Sequence, residues 1–437
     1  MSPNHSNHQI PVLPTMNTEN TSDSMTRREA MKILGVGATG LALGGYQASG
    51  QGFAKNETMN IGLIGCGGRM RGALVKGLSN IPGKNIVAVC DVYDDFLNSA
   101  HALVGGRDRK VQKTKYYEEV LSRKDIDAVM IATPDHWHVP ITIHAVEAGK
   151  HVYVEKPVTH KLEEGQQLIK AVRKSGKKVQ VGAQQRTMPH LVVLKQKLDS
   201  GEIDVGKVTR VHMQWCRNTG PFQGDPTYRI TEDQVDWARF LGNAPDQPFD
   251  ALRMRNWRWI WDFGNGPLGD LMVHWLDATN WLLDLPLPSQ VVMSGGKYHR
   301  KGSMETPDIT NCIMEFPELD LQMDYVSSWS NNYLKACTVI MGTDATIYFD
   351  RNRYEVTPQR GGNEPLAPIS ESMVASSGPH GSDHAADFDA QTFHIGDWLT
   401  AIREDRDPVD NVEAGVQAAA VCHYGNISYR EKRFVQV

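Results

Sequence analysis

Two short stretches of this chain carry residue types that do acid–base or electrostatic chemistry where a strand or helix could aim them. The first is Glu155-Lys156-Pro157, directly after the apolar run at 151–154. At the end of a buried strand a lysine ammonium sits in a partly dry crevice, where it can stabilise a developing alkoxide. It can also share in proton removal if desolvation or a neighbouring cation brings its pKa toward working pH. An isolated lysine here would read as a surface group paired with Glu155, but the strand-end Glu-Lys-Pro setting favours chemistry. The second stretch is Gly264-Asn265-Gly266-Pro267-Leu268-Gly269-Asp270-Leu271-Met272-Val273-His274. Asp270 and His274 are four apart and share one face of a helix, and an imidazole suits proton transfer near neutral pH. Adding Asp277 gives one imidazole among carboxylates, a poor zinc set, so no metal is expected.

The elements that position these groups begin at residue 60. The apolar run 60–64 ends in Gly65-Cys66-Gly67-Gly68-Arg69-Met70-Arg71-Gly72 and is followed by a helical pattern through Ala73, Leu74, Val75 and Leu78. A second apolar run, 85–90, ends at Asp91, where a dinucleotide-binding unit places an acidic residue. Gly65 permits the tight turn, and Gly67 lets the backbone approach a pyrophosphate at the positive end of the helix. Asp91 would accept from the adenosine ribose hydroxyls and repel a 2′-phosphate, which favours NAD over NADP. The fingerprint's third glycine is replaced by Met70, with Gly68 and Gly72 on either side, so helix and strand are expected to pack further apart than usual.

Helices over 117–123, 139–147 and 162–174 alternate with strands over 128–132, 151–154 and 178–182, which predicts a parallel doubly wound Rossmann sheet over 59–183. Ligands bind beyond the carboxyl ends of such strands, so the loops starting at Gly65, Asp91, Thr133 and Glu155 should line one crevice. Beyond residue 183, strands over 208–215, 312–316, 321–326, 337–341 and 346–349 predict an α/β domain over 184–437 with an open, mostly antiparallel sheet. The stretch 361–389 reads as a long mobile loop containing His380 and His384, and helices are expected over 393–401 and 412–429 around Pro408.

Thr133-Pro134-Asp135-His136-Trp137-His138, Glu155-Lys156-Pro157 and the glycine turn together resemble the Gfo/Idh/MocA oxidoreductases, from about residue 60 to near the C-terminus. The tail His423-Tyr424-Gly425-Asn426-Ile427-Ser428-Tyr429-Arg430 is similar to that of exported members. The resemblance implies an enzyme that passes a hydride between NAD and the hydroxyl-bearing carbon of a sugar or polyol. It implies that Lys156 contacts that hydroxyl, that His274 is the general acid/base, and that Asp270 orients the substrate or the imidazole. Cofactor contacts are expected at Gly65, Gly67, Gly68, Arg69, Met70, Asp91, Thr133, Pro134, His138, Glu155 and Lys156, and cofactor or substrate contacts at Gln185 and Arg186. His138 reads as a positioning residue. Trp257, Trp259 and Trp261, with Arg255 and Arg258, precede the Asp270–His274 segment; Trp257 and Trp259 are expected to stack on a sugar ring, although alternating aromatics also build cores. The alternative activity is an NAD-dependent glycosidase working by transient ring oxidation and elimination; relatives with that chemistry lack the lysine of Glu-Lys-Pro, which this chain has. A sensor that binds without turnover is a third possibility, disfavoured by the presence of Lys156, Asp270 and His274 together. The family's open sheets pair face to face, so a homodimer or homotetramer is expected.

Composition sets the frame. A chain of 437 residues with net charge −5 and no long basic run carries no footprint for nucleic acid or an anionic membrane, and in the mature region no stretch is apolar for long enough to span a bilayer. Six cysteines without a CxxC read as small core residues. Residues 1–24 are polar and aperiodic, and Thr26-Arg27-Arg28 precedes a Gly-rich apolar run with small residues placed for cleavage after Ala54. Residues 1–54 therefore resemble an extension followed by a twin-arginine export signal, implying the twin-arginine translocase as a partner and a periplasmic or otherwise exported enzyme.

Overall fold

The computed structural model describes residues 58–437 except 107, 219–228, 300, 301, 303, 360–367 and 373–386. The segment expected to be an export signal and the pair His380 and His384 lie outside the described residues.

The first sheet is wholly parallel and contains β1 (Met59–Ile64), β2 (Lys84–Cys90), β3 (Gln112–Thr114), β4 (Ala128–Ile131), β5 (His151–Val154) and β6 (Val179–Val181). Its order, β3-β2-β1-β4-β5-β6, reverses direction between β1 and β4, which opens a crevice at their carboxyl ends. Every residue of β4 is buried, as expected of a strand covered by helices on both faces. The side chain of Met70 does not wedge helix from strand: it is buried in one cluster with Leu63, Leu74 and Trp398. The helix instead opens with a wide π turn, Met70–Leu74, before becoming α-helical over Val75–Ser79.

The second sheet has nine strands: β7 (Val208–Cys216), β8 (Gln290–Gly296), β9 (Ile309–Phe316), β10 (Leu321–Ser328), β11 (Ala336–Gly342), β12 (Ala345–Phe349), β13 (Arg353–Pro358), β14 (Ile369–Ser372) and β15 (Val435–Gln436). They lie in the order β14-β13-β12-β11-β7-β10-β9-β8-β15, and only β7 and β10 pair in parallel. Strand β10 shows the logic: Leu321, Met323, Tyr325 and Ser327 point inward while Gln322, Asp324, Val326 and Ser328 face the other side. The inner face packs with Trp275 and Leu276 of helix Val273–Leu283 and with Ala418 and Val421 of helix Val412–Glu431. The stretch 361–389 is not loop throughout: it supplies β14 and the start of helix Asp387–Arg403. The strand Ile-Ser-Glu-Ser has one apolar residue and so no alternation to betray it. Helix Asp387–Arg403 returns to the first sheet, where Ile395, Trp398 and Leu399 join the cluster of Leu63 and Leu74. The nucleotide-type domain is therefore completed by residues far beyond 183. No helix among the described residues is long and apolar enough to cross a membrane.

Candidate active site

Beyond the carboxyl ends of β1, β2 and β4 lies a cleft of about 770 Å³ whose lining includes Gly65, Gly67, Asp91, Thr133, Pro134 and Trp257. Gly65 has φ +80°, and a Cβ there would stand 2.6 Å from the Thr133 amide nitrogen, so only glycine lets β1 turn beside β4. At Gly67 and Gly68 a Cβ would meet nothing closer than the Phe96 ring at 3.6 Å, which leaves a concave backbone surface open to a ligand. The Asp91 carboxylate holds the turn: it accepts from the Cys66 amide at 2.6 Å and from the Tyr93 amide at 2.8 Å. Burial pushes its carboxyl up to about 6, against the pull of those two amides. The Thr133 hydroxyl is buried here without a partner. An open glycine cradle, a carboxylate at the end of β2 and an unsatisfied hydroxyl between them fit a dinucleotide.

A second cavity of about 910 Å³ continues from the first, sharing Ala132, Thr133 and Trp257. Lys156, Asp270 and His274 all line it, as do Arg69, His138 and Glu155. The Lys156 ammonium donates to the Asp270 carbonyl at 2.6 Å and to its carboxylate at 3.1 Å, and Arg258 donates to the same carboxylate oxygen at 3.1 Å. Burial works against charge on Asp270, but Lys156, Arg258 and Arg217 overcome it and hold this carboxyl well below its usual range. Asp270 sits in a wide π turn, Leu268–Met272, that feeds helix Val273–Leu283. Gly269 permits that turn to lie on Asn265, whose Cβ would be 2.3 Å from an added Cβ.

His274 is buried, with Nδ1 3.0 Å from the Gln185 side-chain oxygen. With that oxygen accepting, Nδ1 carries the proton and Nε2 keeps its lone pair for the cavity. Burial, reinforced by Lys156, Arg351, Arg69 and Arg217, holds the imidazole well below its ordinary pKa and so neutral. His138 spans two loops: Nδ1 lies 2.7 Å from the Pro157 carbonyl and Nε2 3.0 Å from the Thr133 carbonyl. Burial lowers it to about 4, and a neutral ring has one N–H, so it donates to one of these two carbonyls and packs against the other. Arg69 donates to Glu155 at 2.7 Å, tying the glycine turn to the Glu-Lys-Pro loop.

Three expected contacts lie elsewhere. Arg186 is buried and donates from Nε and Nη2 to Asp277 at 2.8 and 2.7 Å, with Asp410 3.8 Å away. Burial opposes its charge, yet Asp277 and Asp410 keep the guanidinium protonated. A charged group in the interior must find such partners, and here they draw Arg186 away from the cleft while the preceding Gln185 faces His274. Trp259 is a core residue packed edge-on to Trp329 at 4.5 Å, because the segment Trp257–Trp259 is a 3-10 turn that sends its two indoles to different places. Met70 contributes to the core rather than the cradle.

The structure also brings in side chains to which no role was given from sequence. The Asp135 carboxylate accepts from the backbone and side-chain amides of Asn265, both at 3.2 Å, and burial pushes it up to about 7. Arg217 follows β7 and Arg351 sits between β12 and β13, and both line the second cavity. The strand-end position of Arg217 was a usable signal; Arg351 had none. Among the described residues no group of His, Cys, Asp and Glu is placed to hold a metal ion.

Two family models match the chain: one described as an oxidoreductase family with an NAD-binding Rossmann fold, over residues 59–183, and the GFO/IDH/MocA C-terminal domain, over 237–348. Together they take in just over half of the chain. A glycosyl hydrolase family 109 protein of Solibacter usitatus (strain Ellin6076) is 30% identical over 159 residues, 34% of this chain and 36% of that protein. The oxidoreductase YrbE of Bacillus subtilis (strain 168) is 32% identical over 151 residues, 34% of this chain and 42% of its own length. The chain is thus matched to less than half the length of these curated relatives. The solved structure of a levoglucosan dehydrogenase with NADH and levoglucosan shares the fold, with TM-score 0.66 at 19% identity, covering 87% of this chain and 99% of that one.

Proposed function

Because this chain belongs to the Gfo/Idh/MocA family of oxidoreductases, we propose that it binds NAD tightly and oxidises or reduces a sugar or polyol at a hydroxyl-bearing carbon. The observation that carries this is the junction at Ala132, Thr133 and Trp257, where the glycine cradle opens directly onto Lys156, Asp270 and His274. The nicotinamide, when bound, supplies the hydride acceptor or donor. Lys156 acts as a fixed positive charge, because Asp270 holds its ammonium in place, and it stabilises the alkoxide that forms as the proton departs. Nε2 of His274 takes that proton, and Gln185 keeps the ring in the tautomer that can do so. The Asp91 carboxylate at the ribose end disfavours a 2′-phosphate and so favours NAD. The test is mass spectrometry of nucleotide released from the denatured protein, then absorbance of reduced nicotinamide against a panel of neutral and acidic sugars and polyols. Protein that carries no nucleotide and binds none, or shows no spectral change with any sugar, overturns the proposal.

A second activity, glycosidic cleavage through transient oxidation, is favoured by the name of the Solibacter relative. It predicts release of an aryl aglycone with no net absorbance change. The export signal around Arg27 and Arg28 makes a tightly held, internally recycled cofactor the natural arrangement, since free NAD is not exchanged outside the cytoplasm. We infer periplasmic residence by the twin-arginine translocase; changing both arginines to lysine should block export, and an unchanged exported level would refute it. The outward side of the nine-stranded sheet, with Val326, Ile313 and Val292 only part-covered, supports pairing into a homodimer or homotetramer, tested by light scattering.

A further inference from the structure

We propose that the segment 235–241 of the second domain is a clasp over the adenosine end of the nucleotide cleft, and that His136 and Trp137 are positioning residues that hold it closed and so keep the nucleotide resident. The proposal rests on the dinucleotide reading of that cleft and adds the part of the chain that controls release. Helix Trp237–Leu241 follows β7 and belongs by sequence to the second domain, yet Arg239 and Phe240 line the first cavity together with Asp91, Lys115 and Tyr117. A crevice beyond the ends of parallel strands is open to solvent on its own. Here the second domain supplies a further wall.

The segment is fastened at both ends. At the first, Val235 forms an isolated antiparallel bridge with Tyr93, and the Asp236 amide donates to the Val92 carbonyl at 2.9 Å, so the clasp pairs with the residues that directly follow Asp91. At the second, the Phe240 carbonyl accepts twice, from Nε2 of His136 at 2.8 Å and from Nε1 of Trp137 at 3.0 Å. Burial lowers His136 to about 4, so its ring is neutral and, with a carbonyl as partner, carries its proton on Nε2. Gly242, at φ +54°, ends the helix against the Trp137 indole and leaves no room for a side chain. Between the two ends Arg239 donates to Glu118 at 3.1 Å and lies 4.2 Å from the centre of the Tyr116 ring. Tyr93, Val235, Phe240, Leu241 and Phe263 share one small buried cluster, separate from the main cores of the two domains. A unit held by a short bridge, one doubly bonded carbonyl and a small cluster opens locally without unfolding its domain. A ligand beneath it leaves only while it is open, so each contact that keeps it shut slows release. The His-Trp pair after β4 thus has a task apart from the chemistry of Lys156 and His274.

The test is exchange of bound NAD for added deuterated NAD in the full-length protein, followed by mass spectrometry of the nucleotide released on denaturation. Trp137→Phe removes one of the two donors to the Phe240 carbonyl and keeps an aromatic ring in place. It should exchange NAD about fivefold faster than wild type, the worth of one hydrogen bond. Amide hydrogen exchange over 235–241, a readout that needs no turnover, should rise with it while that of β1 stays unchanged. Tyr93→Cys combined with Val235→Cys puts thiols at the paired positions of the bridge, within reach of a disulfide, and the six native cysteines are buried. The oxidised pair should exchange no NAD until it is reduced. Unchanged NAD exchange in Trp137→Phe, or equal exchange before and after bridging, overturns the clasp; should the cysteine pair fail to fold, Trp137→Phe decides alone. A wild-type protein that binds no NAD would instead strike the dinucleotide reading itself.

Discussion

The half of the cleft under the glycine turn is lined mainly by backbone and apolar groups, among them Ile64, Gly65, Phe96, Pro134 and Ile141, with Asp91, Lys115 and Arg239 as its charged members, while the half between Lys156 and His274 is lined mostly by charged and polar side chains. The first half is built chiefly for shape: a backbone turn that tolerates only glycine and an apolar slot, with Asp91, Lys115 and Arg239 as its charges. The second recognises by charge, and its side chains hold one another through Lys156–Asp270, Arg258–Asp270, Arg69–Glu155 and His274–Gln185. A cofactor common to many proteins suits a wall made of backbone. A particular substrate needs side chains, which can vary without disturbing the fold.

If the two halves are separable, removing a group from the charged half should abolish turnover without emptying the cradle. His274→Ala is expected to lower kcat by about a thousandfold, the usual worth of a positioned general base, while nucleotide released on denaturation stays at the wild-type amount. Loss of nucleotide together with activity would break the comparison. Next in size is a group that belongs to neither half. Arg186→Met leaves Asp277 and Asp410 buried against each other and should cost about 3–5 kcal/mol of stability, read as a lower denaturant midpoint, with KM for sugar unchanged. A raised KM with stability intact would put Arg186 back in the cleft.

The shape-built half was also the half legible from sequence. A strand, a glycine turn and a helix are local, and Asp91 follows from one more strand, so Gly65, Gly67 and Asp91 could be placed by order along the chain. Lys156, Asp270 and His274 were found from motif and spacing, although their meeting depends on two domains touching. Arg217, Arg351 and Asp135 were not assigned, because they reach the cavity through the register of a nine-stranded sheet and through packing on Asn265. Arg186 and Trp259 failed for a related reason: in a 3-10 turn each residue swings the side chain by about 120°, so Gln185 and Arg186, and likewise Trp257 and Trp259, leave the turns Gln184–Thr187 and Trp257–Trp259 in different directions. Short polar strands such as β14 stayed hidden because neighbouring strands, rather than their own pattern, stabilise them.

On the shape-built side, Gly65→Ala places a side chain at φ +80° and 2.6 Å from the Thr133 nitrogen. That conformation alone costs about 1–3 kcal/mol, so thermal stability and nucleotide retention should both fall. Gly68→Ala, with nothing within 4 Å of its Cβ, should leave stability within about 0.5 kcal/mol. Equal effects from the two would mean that backbone geometry does not define this half.

The smallest effect concerns the pH at which the charged half works. His274 must be unprotonated to accept the hydroxyl proton, and burial with surrounding cations holds its pKa well below the ordinary 6.5. A depressed base stays competent as acid is added, so the contribution of His274 to kcat/KM for oxidation should be level from about pH 8 to about pH 6.5 and should fall only below that. An inflection near 7 has a different source: the Asp135 carboxyl, which burial pushes up to about 7 and which would gain its charge beside Lys156 as pH rises. Asp135→Asn distinguishes the two. It erases an inflection that belongs to Asp135 and leaves the acid limb of His274 where it was; a limb centred at an ordinary imidazole pKa in both proteins would show that His274 is not buried among cations when it acts.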